Sequence, residues 1–140
     1  MAESLKDKVA IVGMGCTQFG ERWDAGSADL IIECSQEAFE DAGIEANDID
    51  AAWLGTLAGT APSMTSTGAT GLEISRALKL PYKPVSRVEN ACATGTEAIR
   101  NAAFAVAAKV YDLVLVVGVE KLKDTGFGGL GEIPMPLHPV

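Results

Sequence analysis

Residues 84–119 read PVSRVENACATGTEAIRNAAFAVAAKVYDLVLVVGV. An extended run at 84–91 opens the stretch, with Pro84 tolerated because it stands at a strand start. A helical segment over about 93–110 follows, and then an aliphatic run at 112–119. A short aliphatic run bounded by charge is the pattern of a strand buried on both faces of a parallel sheet. Strand, helix and strand in that order make a crossover unit, so the stretch points to an α/β fold.

Its helix is unusual. Residues 102–108 are A-A-F-A-V-A-A, seven successive apolar positions. Each step turns about 100°, so these side chains cover every side of the cylinder. A helix lying on a single sheet keeps one polar, wetted face. Two-sided burial is therefore expected, with a sheet on one side and a second body on the other. The competing explanation is that alanine is simply a good helix former whose exposure costs little.

Upstream, the same alternation continues. An aliphatic run at 9–13 reads as a strand, and 15–26 as a loop. A helix is expected over about 28–42, with Ser27 as N-cap, Asp29 in the first turn and Gly43 at the C′ position. Leu30, Cys34 and Ala38 recur at i+4 as its buried stripe, widened by Ile31 and Phe39. A second strand falls at 49–54. The Gly/Thr/Ser-rich segment 55–68 then reads as a loop of the kind that borders sites. A second helix covers 69–80 and is stopped by Pro81. The order is β-α-β-α-β-α-β, a mostly parallel sheet with helices on both faces. Residues 1–125 form one α/β domain. The Gly/Pro-rich 126–140 opens a flexible loop region.

Composition narrows the function. The chain has 140 residues, 48% of them hydrophobic, which suits one compact domain. Its net charge of −8 has no offsetting Lys/Arg cluster, so nucleic acid and anionic membrane surfaces are disfavoured partners. Three scattered cysteines (16, 34 and 92) form no disulfide framework and no C-x-x-C pair, and the one histidine, His138, sits in a Pro-rich tail. No metal site is expected. Residues 1–8 are charged and unlike a secretory signal, and 113–119 is too short to span a bilayer. These features predict a soluble protein in a reducing, cytoplasmic setting.

Cys92 ends the extended run and directly precedes the third helix. Thr94 and Glu97 have capping-box spacing, which places the helix start within a residue or two of the sulfur. Unpaired N–H groups and the positive end of the helix dipole favour the nucleophilic thiolate there. If the extended form persists to Cys92, Asn90 shares its face and Glu89 points away. Ala91, Ala93 and Gly95 leave room for an acyl group, which makes Asn90 and Gly95 candidate substrate-binding residues. A backbone N–H at this junction is a candidate oxyanion donor. Position alone leaves a second possibility open, that Cys92 is a small buried hydrophobe. Residues 55–67 and 120–123 are candidate pocket linings, against the simpler expectation of a flexible loop and a solvated strand end.

The segment V-E-N-A-C-A-T-G at 88–95 resembles the nucleophile signature of the thiolase family, in its sterol-carrier-protein thiolase-like and acetyl-CoA acetyltransferase branch. Residues 9–20 (VAIVGMGCTQFG) resemble that branch's first strand and turn, and 113–122 (LVLVVGVEKL) the strand after the catalytic helix. The resemblance covers nearly the whole chain. It implies an αβαβα architecture of two similar halves, with the cysteine helix in the central layer. It also implies that Cys92, with its own backbone N–H as the oxyanion donor, takes an acyl group from acyl-CoA, for Claisen condensation with a second acyl-CoA or for thiolytic cleavage of a 3-ketoacyl-CoA. Coenzyme A thioester is then the substrate, with no tightly bound cofactor, and a homodimer forms through strand 84–91. Family members are more than twice this length, and their second half supplies the histidines and glycine-rich loops. The expectation is an N-terminal half that does not turn over alone and needs a second half or a partner chain.

Two other functions fit parts of the sequence. Gly13-Met14-Gly15 after a strand suggests a dinucleotide-binding turn, but position 18 is Gln18 and the helix opens late. A non-catalytic thiolase-like scaffold subunit fits the missing base and conflicts with the intact cysteine motif.

Overall fold

The computed structural model describes residues 4–57 and 71–121. Within them, α1 (Ser27–Ala42) precedes β1 (Ala51–Gly55), α2 (Gly71–Ala77), β2 (Val85–Val88), α3 (Thr94–Ala107) and β3 (Val114–Gly118). The three strands form one parallel sheet in the order β2-β1-β3. Leu54 stands opposite Arg87 on one side and Val117 on the other. The α/β class and the parallel sheet are as expected.

Alternation along the strands sorts the layers. Ala52 and Leu54 of β1 and Leu115, Val117 and Val119 in and after β3 join Ile31 and Phe39 of α1 with Ile74 and Leu78 of the α2 segment in one core. Ile31, Leu54 and Ile74 are wholly buried, and each contributes about 1.5–3 kcal/mol. On the opposite face, Gly55 meets α3: a Cβ there would lie 3.2 Å from Cγ2 of Thr94 and 3.5 Å from Cβ of Ala98. Glycine at 55 lets the helix settle directly on the central strand.

Several expectations are corrected. The run 9–13 is not a strand of the sheet. It crosses the surface beside α1, where Gly13 and Gly15 press on helix backbone. A Cβ on Gly15 would stand 2.0 Å from the Cys34 carbonyl, and one on Gly13 2.4 Å from that of Ala38. The N–H groups of Met14 and Cys16 donate to Asp41 and Glu37 at 3.0 and 2.7 Å. These glycines serve close packing, and no helix opens behind them until Ser27, so the dinucleotide-binding turn is not formed. In α1 the N-cap is Gly26, whose N–H donates to Asp29 at 2.8 Å. Ser27 lies inside the helix and donates to Glu73. The buried stripe runs through Ile31, Ser35 and Phe39, one residue on from the expected Leu30, Cys34 and Ala38. Gly43 closes the helix in the left-handed conformation, as expected.

Helix α2 ends at Ala77, before the expected 80. Lys79 turns left-handed (φ 52), and the Leu80 N–H donates back to the Ser75 carbonyl at 2.9 Å. This closing turn drives Leu80 into the core, 1% exposed. Helix α3 ends the same way: Lys109 is left-handed (φ 58) and the Val110 N–H reaches Ala105. One flank of α3 is buried through Thr94, Ala98 and Ala102. The other is open among the described residues, with Ile99 and Phe104 56% and 49% exposed. The Arg100 guanidinium sits 5.9 Å from the Phe104 ring centroid. Residues 126–140, expected as a loop region, lie outside the described residues.

Candidate active site at the start of the third helix

The end of β2 builds the site. Extended backbone stops at Val88, short of the expected 91. Asn90 leaves the β region (φ −154, ψ 54), and Ala91 takes a positive φ of 45. A short 3-10 turn, Ala91–Ala93, carries Cys92 into α3. Alternation is therefore broken before it reaches the cysteine. Glu89 folds back instead of pointing away, and accepts the Ala91 N–H at 2.6 Å.

Thr94 is not the N-cap the spacing predicts. Ala93 holds that position without a side-chain cap, and Thr94 is the first helical residue. Its hydroxyl works backward: it accepts the Asn90 N–H at 2.8 Å and donates to the Ala91 carbonyl at 2.7 Å. Glu97 turns to Arg100 and Asn101, at 2.9 and 2.8 Å. The Arg100 guanidinium, then Asn101, hold its carboxyl below the usual range.

Cys92 is exposed. Among the described residues it is not packed into the core. Ala91, Ala93 and Gly95 around it are exposed as well, and a Cβ on Gly95 would meet nothing within 4 Å. The smallness at 95 is thus not demanded by packing among the described residues. Asn90 is brought to the same turn, 4 residues from Thr94 and bonded to it through its backbone.

Hydrogen bonds from neighbouring strands fix this rim of the sheet. Thr56, just past β1, donates its N–H to Val88 at 3.3 Å, and its carbonyl accepts Arg87 at 2.9 Å. Leu57 donates its N–H to Glu120. Lys121 is buried, and its ammonium donates to the carbonyls of Arg22, at 2.7 Å, and Ala25. Glu120 is exposed just past β3, as a solvated strand end would be, whereas Lys121 is buried and ties the strand end to the segment before α1. Residues 58–67, 122, 123 and His138 lie outside the described residues.

The structure brings Cys92, Asn90 and Gly95 to one turn, and beside them stand three residues the sequence did not single out for this turn's geometry: the backward-facing Thr94, Gly55 beneath it, and Arg87. The Thr94–Glu97 spacing was a real signal whose meaning differed. Of the other cysteines, Cys16 is exposed and Cys34 is partly buried, and burial pushes the Cys34 thiol up. Among the described residues no cluster of His, Cys, Asp and Glu could hold a metal ion, and no helix is long and apolar enough to cross a membrane.

Comparison with known proteins identifies the family. Residues 9–127 match the family described as thiolase, N-terminal domain. An acetyl-CoA acetyltransferase of Methanothermobacter thermautotrophicus is 39% identical over 116 residues, 83% of this chain and 30% of its own length. Sterol carrier protein 2 of Bos taurus is 30% identical over 120 residues, 84% of this chain and 21% of its own. The structure of an acetyl-CoA acetyltransferase from Syntrophomonas wolfei superposes with a TM-score of 0.63 at 27% identity, covering 76% of this chain and 27% of that one. The chain thus spans under a third of the length of these relatives. Fold and sequence similarity agree, and over its matched residues the chain belongs to the thiolase family, in the N-terminal domain.

Proposed function

We propose that this chain provides the nucleophile half of a thiolase-type acyltransferase acting on coenzyme A thioesters. The observation that carries the proposal is an exposed Cys92 on the turn into α3, beside the N–H groups of that helix's first turn. The Cys92 thiolate attacks the thioester carbonyl, and the backbone N–H of Cys92 faces the oxygen as charge develops on it. The carbon–sulfur bond to coenzyme A then breaks, and its thiolate leaves and takes up a proton. The acyl group stays on Cys92 as a thioester, for transfer to a second acyl-CoA in condensation or to free coenzyme A in cleavage. Asn90 and Gly95 border the approach to the sulfur. No resident cofactor is needed, since coenzyme A arrives with the substrate.

The described residues contain no histidine, and in this reading a second thiolase half or a partner chain supplies the groups that move the proton. The uncovered flank of α3 with Ile99 and Phe104 supports such a cover. Edge strand β2 supports a homodimer through 84–91, since it pairs with β1 on one side only among the described residues. The three free cysteines fit a reducing compartment, the cytoplasm.

Incubation with acetyl-CoA, followed by digestion and mass spectrometry, tests the reaction. One acetyl group is expected on the peptide bearing Cys92 and none in Cys92→Ser. Acetyl shared equally between the Cys16 and Cys92 peptides would refute it, because exposure alone would then explain the labelling.

A further inference from the structure

Five residues, 90–94, turn the chain from β2 into α3, and the Thr94 side chain bonds to the backbone of two of them. Thr94 is 7% exposed. Its hydroxyl accepts the Asn90 N–H at 2.8 Å and gives its own proton to the Ala91 carbonyl at 2.7 Å. The same carbonyl also accepts the Thr94 backbone N–H. The Ala93 N–H closes on the Asn90 carbonyl at 2.8 Å. Between these anchors Ala91 is held at φ 45, a region an alanine rarely enters. Such backbone persists only where its surroundings over-determine it.

A threonine that caps a helix bonds forward, to N–H groups one turn ahead. Thr94 bonds backward, to the two residues just before Cys92, so capping is not its role. Its methyl group is held as well: Gly55 of the central strand comes close enough that a Cβ there would lie 3.2 Å from Thr94 Cγ2. The side chain is thus wedged against the sheet at one end and grips the cysteine turn at the other.

We infer that Thr94 is a positioning residue, whose hydroxyl holds the strained turn at Ala91 and so sets Cys92 at the start of α3. This deepens the acyl-transfer reading and rests on it. Without the hydroxyl, the Asn90 N–H loses its acceptor. Ala91 then keeps only its bonds to the Glu89 carboxylate and the Thr94 N–H, its backbone relaxes from φ 45, and that rotation carries Cys92 away from the helix end.

The test uses the full chain with Thr94→Val, which keeps the shape and removes the hydroxyl, and Thr94→Ser, which keeps the hydroxyl and removes the methyl. Alkylation by iodoacetamide is read on the Cys92 and Cys16 peptides of the same sample, so Cys16 is an internal exposed thiol. The Cys92-to-Cys16 rate ratio should fall about threefold or more in Thr94→Val and stay near wild type in Thr94→Ser. An unchanged ratio in Thr94→Val, or an equal fall in Thr94→Ser, overturns the inference.

Amide hydrogen exchange of Asn90 in the wild-type chain covers the case in which Thr94→Val fails to fold. The inference requires a protected Asn90 amide, and exchange at the rate of an open amide contradicts it. If wild-type Cys92 is not acylated by acetyl-CoA while the ratio and the Asn90 amide behave as stated, acyl transfer fails and the positioning role stands.

Discussion

Asp50 shows how much one side chain can organise at the edge of this fold. Its carboxylate accepts the N–H groups of Asp112 and Leu113 at 2.9 and 3.1 Å, fixing the start of β3 beside the start of β1. The Leu113 bond, then the Asp112 bond, hold its carboxyl below the usual range. A carboxyl lowered by folding stabilises the protein above its unfolded value, about 3.9, and loses that contribution as pH falls through the folded value. Asp50→Asn should therefore melt at lower temperature than wild type at neutral pH, and the gap should close well below pH 4. Thermal unfolding at both pH values checks this; a gap of equal size at both would mean that the charge is not involved. Nothing in the sequence marks Asp50 out, because its partners lie more than 60 positions away. Cys92 was legible for the opposite reason. Its strand, its turn and its helix are all local, so periodicity alone places the sulfur at a junction. The contribution of Thr94 was half legible: its position was read correctly, but the direction of its hydrogen bonds depends on the left-handed Ala91, and residue type does not disclose that.

At the scale of elements, α1 was readable from its 3.6-residue period and its closing Gly43, and β1 and β3 from short aliphatic runs. Helix ends were missed by up to three residues where lysines, Lys79 and Lys109, adopt the left-handed closing position usually given to glycine. The largest error was the run 9–13. Its aliphatic composition fits a strand, but composition does not say whether an edge is available for pairing, and among the described residues this segment packs on α1 instead. Gly13 and Gly15 looked like a phosphate-binding turn and are contact points for helix backbone. Gly15→Ala tests that contact. Its Cβ would meet the Cys34 carbonyl at 2.0 Å and the Ala38 nitrogen at 2.7 Å, both backbone atoms that cannot swing aside. The variant should lose about 1–3 kcal/mol in urea unfolding and be cut faster by protease within 9–19. Unchanged stability would show that the segment does not rest on α1.

For the molecule as a whole, the α/β class and the sheet's parallel order followed from alternation, whereas the partner of α3 did not. Residues 102–108 of the helix are apolar on all sides as a sequence, yet among the described residues only one flank is covered. A second body on the open flank would complete the central layer that the thiolase resemblance implies, and would bring the proton-transferring groups to the sulfur. The account therefore rests on Cys92 being ready to react before that body arrives. Its most direct test is alkylation of the wild-type chain at neutral pH with limiting iodoacetamide, resolved on all three cysteine peptides. Cys92 should react about threefold or more faster than Cys16, which is also exposed. Cys34 should react slowest, because burial pushes its thiol up. A Cys92 that reacts at the rate of Cys16 or below it would contradict the account.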